Sequence, residues 1–193
     1  VQLMGGVAKY HSAEKYVFLL LLFTAAVIPV NQVFTLLMVA VTFFAGLAVA
    51  VKYRKLKRVP VLPRVQQGLL YLLLAITWYS LRFSADSAVS AYNFGYVVGQ
   101  YVLLVWLVLR YGGDGKLDFD WQKPREWPRP LQLLAVLLLA GFANGLLGVY
   151  QHFAGVVPTD PWVDPSQFPE LKTRVVGTLI NPNIFAGYLV LLL

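Results

Sequence analysis

The chain has no cysteine, two methionines, two histidines and nine acidic residues among 193. Without cysteine it builds neither a disulfide framework nor a thiolate metal site, and His11 and His152 are too few for a histidine-built metal centre. No metal and no cofactor is therefore expected. Charge is scarce too: 13% of residues are charged, against 59% hydrophobic and 15% aromatic, with a mean hydropathy of +0.65. So little charge does not cover the surface of a soluble domain, and the composition predicts an integral membrane protein.

Long apolar runs are what the chain does have. They fall at roughly 16–30, 33–51, 67–81, 89–109, 131–150 and 175–193, and a helical crossing needs about 20 residues. The expected fold is an all-α, polytopic bundle of transmembrane helices, with about six spans here and more in a full-length protein. The turn Pro29-Val30-Asn31-Gln32 divides the first two runs into a helical hairpin. Lys9 and Lys15 resemble the start of a secretory signal, but no small-x-small cleavage site precedes the second run.

The formal charge of +7 could suggest a nucleic-acid partner, yet its placement points to membrane orientation. With the amino terminus in the cytoplasm, Lys9, Lys15, the Lys52–Arg58 cluster, Arg64, Arg110, Lys116, Lys123, Arg125 and Arg129 lie inside. Only Arg82, Lys172 and Arg174 lie outside. The basic cluster is expected to anchor the second span against anionic membrane lipids, and no nucleic acid is expected to bind. This orientation makes 111–130 a cytoplasmic loop, with Asp114, Asp118 and Asp120 spaced as in a solvated connector. It makes 151–174 an extracytoplasmic loop, stiffened by Pro158, Pro161, Pro165 and Pro169. The expected organisation is a single transmembrane domain over 1–193.

Small residues recur four apart at Gly95 with Gly99 and at Gly141 with Gly145, a spacing that lets helices approach closely inside a bundle. Asn93, Gln100 and Asn144 interrupt apolar runs, and one hydrogen bond to a neighbouring helix would satisfy each. His152 reads as an interfacial side chain.

The last apolar run is broken. Asn181 is a good N-cap and Pro182 suits a first helical position, so a helix is expected from Pro182, with 173–180 a shorter piece interrupted at Gly177. From Pro182 to Leu193 such a helix would be about 18 Å long against about 30 Å of hydrocarbon, and the chain begins with Val, so the sequence reads as an amino-terminal fragment. Free amides at a helix start favour an anion, and Arg174 just before it offers a fork suited to phosphate oxygens.

The block Leu146-Leu147-Gly148-Val149-Tyr150-Gln151, then Trp162-Val163-Asp164, then Arg174-Val175-Val176-Gly177-Thr178, Asn181-Pro182-Asn183 and Ala186-Gly187-Tyr188-Leu189 resembles the O-antigen ligase and polymerase superfamily of bacterial membrane proteins. The likeness covers about 144–193; earlier spans match in hydropathy alone. It implies an inverting, metal-independent glycosyltransferase in the bacterial cytoplasmic membrane. Such an enzyme takes a glycan from undecaprenyl pyrophosphate at the outer face and passes it to a lipid, glycan or protein acceptor. It also implies that Arg174, with Thr178, Asn181 and Asn183, binds substrate, and that the catalytic histidine lies in a later loop beyond Leu193. His152 does not match that histidine. Two alternatives stay open: a transporter linked to bicarbonate uptake, which shares the Trp162-Val163-Asp164 to Asn181-Pro182-Asn183 pattern, and a non-catalytic envelope scaffold.

Overall fold

A computed structural model describes residues 2–53, 64–113, 120, 122–155, 175–179 and 182–190. Among them the regular structure is entirely helical. Helix α1 runs Gln2–Val27, α2 Gln32–Lys52 and α3 Arg64–Ser80, followed by a 3-10 turn at Leu81–Phe83. Helix α4 (Ser87–Asn93) passes through a π-helical stretch, Phe94–Val98, into α5 (Gly99–Tyr111). After a 3-10 turn at Pro124–Glu126 come α6 (Arg129–Phe153) and α7 (Pro182–Val190).

Local chemistry accounts for the ends. Asn31 caps α2, its Oδ1 accepting from the backbone amides of Val33 (2.9 Å) and Phe34 (3.1 Å), as the expected hairpin turn requires. Asp86 caps α4 by accepting from Ala88 and Val89. Pro128 and Pro130 frame the start of α6, where the missing amide costs nothing. Its end comes at Gly155, whose φ of +65° turns the chain out of the helix. Gln151 and His152 are therefore helical, and the connection to α7 begins after Phe153.

Among the described residues three stretches are long and apolar enough to cross a membrane: Gln32–Lys52, Ser87–Tyr111 and Arg129–Phe153. Six spans were expected. Helix α3 has 17 residues and α7 nine, and α1 carries Lys9, Glu14 and Lys15. The outward side chains of α6, among them Leu139, Phe142, Leu146 and Val149, are exposed and apolar, a surface that lipid covers at no cost and water does not.

Contacts divide the chain into two compact units. One comprises 1–21 and 39–116. Its α2 and α5 meet where Gly46 leaves room for the Tyr111 ring: a Cβ there would lie 2.8 Å from that ring, and the Tyr111 hydroxyl donates to the Gly46 carbonyl at 2.5 Å. Phe43 and Trp106 add an edge-to-face pair at 5.3 Å. In the same unit Arg110 donates to the Tyr10 hydroxyl at 2.8 Å and lies 3.6 Å from Glu14, while the Tyr10 hydroxyl donates to Glu14.

The other unit comprises 22–38 and 117–193. In the hairpin tip the Thr35 hydroxyl reaches the Val27 carbonyl at 3.2 Å, and Phe23 meets Phe34 edge to face. One stripe of α6 faces inward: Leu133, Gly141, Asn144 and Gly148 are its buried residues. Against it lies α7, with Phe185 on Gly148 and the Tyr188 hydroxyl donating to the Leu137 carbonyl at 3.3 Å.

The small-residue pairs expected from sequence pack differently. A Cβ at Gly95, Gly99 or Gly145 would meet nothing within 4 Å. The close approach is instead at Gly148, where a Cβ would lie 2.7 Å from Val175 and 3.0 Å from Phe185. Gly145 stands off the buried stripe of α6, which runs through Gly141 and Asn144 to Gly148 at the helical repeat.

Candidate functional site

Before α7 the chain makes a turn at 175–179 that is not helical, and Gly177 sits in it with φ of +56°. The break expected ahead of Pro182 is present in the described residues 175–179, with Gly177 at the interruption. Left-handed geometry suits glycine, and here space demands it as well: a Cβ would come within 2.9 Å of Phe185 and 3.0 Å of the Asn144 amide carbon.

A turn of this kind leaves backbone amides and carbonyls without helical partners, and in apolar surroundings each would be costly. Two side chains of α6 supply them. The Gln151 Oε1 accepts from the Gly177 amide at 2.9 Å and the Val176 amide at 3.2 Å, and its Nε2 donates to the Gly177 carbonyl at 2.8 Å. Two turns earlier on the same face, Asn144 is only 5% exposed, and its Oδ1 accepts from the Thr178 amide at 2.9 Å. The Asn144 Nδ2 donates to the Pro29 carbonyl at 3.2 Å, and the Thr178 hydroxyl donates to that same carbonyl. Three pieces of backbone thus meet at Asn144: α6 itself, the α1–α2 turn and the turn before α7.

Beside this knot is a mainly apolar hollow of about 480 Å³, lined among others by Ala26, Pro29, Val30, Ala140, Asn144 and Thr178. The arrangement presents one hydroxyl, of Thr178, and one primary amide, of Asn144, at the edge of an apolar recess.

Of the residues singled out by sequence, Thr178 is in this knot. Arg174 and Asn181 lie outside the described residues, as does 156–174 of the extracytoplasmic loop. Asn183 is in the first turn of α7 and nothing of its side chain is described. His152, in the last turn of α6, is exposed, with its ring 5.5 Å from the Phe153 ring. Sequence reasoning gave Asn144 a single bond to a neighbouring helix and gave Gln151 no role. The signal was the spacing Gly141, Asn144, Gly148, Gln151, which puts small and amide residues on one helical face.

Comparison of the chain with protein-family models, with curated proteins and with solved structures finds no match.

Proposed function

We propose that this chain is the membrane part of a glycosyltransferase of O-antigen ligase or polymerase type. It passes a glycan from undecaprenyl pyrophosphate to a lipid, glycan or protein acceptor at the outer face of the bacterial cytoplasmic membrane. The bond between the sugar and the pyrophosphate breaks, a bond to the acceptor oxygen forms with inversion, and undecaprenyl pyrophosphate leaves. The observation that carries the reading is the turn at 175–179, held by Asn144 and Gln151 between apolar helices. Backbone outside a helix is kept in membrane proteins where it lines a site, and the start of α7 next to it favours an anion. Arg174, immediately before the turn in sequence, supplies the charge that a pyrophosphate requires.

The test is transfer of glycan from an undecaprenyl-pyrophosphate donor by the purified full-length protein. Arg174→Ala is expected to lower the rate about tenfold or more, since a charge-assisted contact is worth about 1.5–3 kcal/mol. Arg174→Lys loses the bidentate geometry and falls between, while Lys172→Ala stays near the parent rate. Full activity in Arg174→Ala would return that arginine to an interfacial anchor. Bicarbonate uptake without transfer would favour the transporter.

A further inference from the structure

We infer that Gln151 is a positioning residue: its side-chain amide grips the Gly177 peptide at both ends and so fixes the turn that carries Thr178 toward α7. What the turn serves rests on the function proposed above; what holds the turn does not.

The chemistry is specific. Gly177 offers an N–H and a C=O in the left-handed conformation, where neither joins a helix or strand. Only a side chain with a donor and an acceptor on one flat group satisfies both, and Gln151 does so at 2.9 and 2.8 Å. Its acceptor oxygen also takes the Val176 amide, so consecutive amides of the turn converge on one atom. From the turn's own backbone comes the Leu179 amide bonded to the Val176 carbonyl at 3.1 Å. Gln151 sits two residues before the end of α6, a helix stopped by Gly155, so the grip comes from a rigid element onto an irregular one.

Glutamate at this position makes the idea testable. Ionised, it only accepts, and it sets a carboxylate against the Gly177 carbonyl. Protonated, it regains a donor and copies glutamine.

The 193 residues hold no cysteine, so with any cysteine outside them replaced by serine, Leu179→Cys carries a single nitroxide in the full-length protein in lipid nanodiscs. The nitroxide spectrum is expected to be immobile in the parent and mobile in Gln151→Ala, each unchanged between about pH 8 and about pH 5. In Gln151→Glu it is expected to be mobile at the upper pH and to return toward the parent at the lower, as the carboxyl takes up its proton. The flat parent controls for every titrating group other than the introduced carboxyl. A parent-like spectrum in both variants at every pH overturns the inference. So does a Gln151→Glu spectrum equally immobile at both pH values beside a mobile Gln151→Ala, which would make side-chain volume the cause.

Farnesyl pyrophosphate binding, read on the same samples, separates this inference from the function. It is expected to weaken about tenfold in Gln151→Ala, the cost of one to two hydrogen bonds. A loosened nitroxide in Gln151→Ala, with farnesyl pyrophosphate binding intact in Arg174→Ala, supports the role of Gln151 and overturns the pyrophosphate site.

Discussion

Around Arg110, polar side chains bond to one another; around Asn144 and Gln151, they bond to backbone. The first cluster is ionic. Arg110 and Glu14 have side chains 6% and 12% exposed, and the Arg110 Nε is buried without an acceptor. It joins the first half of α1 to the last turn of α5, where a cation also meets the negative end of the helix dipole. The second cluster is neutral and stands where the backbone itself is broken. An ion pair links two finished helices but completes no missing backbone bond. A primary amide can, since it gives and accepts at once, and it needs no counter-charge in an apolar setting. Among the described residues, the contrast accounts for a buried ionic cluster between two complete helices and for neutral amides at the broken backbone.

The largest effect should come from splitting the ionic cluster. Removing one partner strands a buried charge, so Arg110→Leu or Glu14→Leu alone is expected to cost about 3–5 kcal/mol in reversible unfolding from mixed micelles. The double variant should recover most of that, because an apolar pair of similar volume replaces a pair whose desolvation nearly offsets its attraction. Single variants without effect would show that the cluster is not buried in the folded protein, and the contrast with the amide knot would collapse.

Next in size are the two left-handed glycines of the second unit. Gly177→Ala is expected to cost about 2–4 kcal/mol, from backbone strain together with the clash against Asn144 and Phe185. Gly155 has nearly the same φ but open space around it, so Gly155→Ala should cost only about 1 kcal/mol. Equal losses at the two positions would mean that conformation alone matters and that the turn is not tightly seated against α6.

Much of this division could be read from residue order. The hairpin turn at Pro29–Gln32, the break before Pro182 and the apolar runs of α2 and α6 follow from proline, asparagine caps and hydropathy, all local signals. The two clusters were not legible, because their partners are distant in the chain: Arg110 lies 100 residues from Tyr10, and Asn144 lies 115 from Pro29. Arg110 entered the sequence reading only as one positive charge among those on the inner side. Gln151 could be placed on a face with Asn144, yet its ligand is the backbone of a glycine, and a main-chain group has no sequence signature. The glycine pairs misled for a related reason: a four-residue spacing says that helices could approach, not which of several small residues meets the neighbour.

The smallest expected effect is on pH. Burial, and after it the hydrogen bond to Glu14, raises the Tyr10 phenol above its ordinary value, with Arg110 acting in the opposite sense. A raised value means that the folded chain holds the phenolic proton more tightly than the unfolded chain does. The resulting stability is fully present below the ordinary tyrosine value near 10 and is lost as pH climbs through the higher folded value. Unfolding followed from about pH 8 to about pH 11 should therefore show a decline that Tyr10→Phe makes shallower. At neutral pH the same substitution should cost about 0.5–1.5 kcal/mol, one hydrogen bond's net worth. In the amide knot nothing comparable titrates, so Asn144→Ala should leave the slope of that decline unchanged. A Tyr10→Phe chain that keeps the full alkaline decline would place its cause outside the ionic cluster and remove the pH signature that separates the two regions.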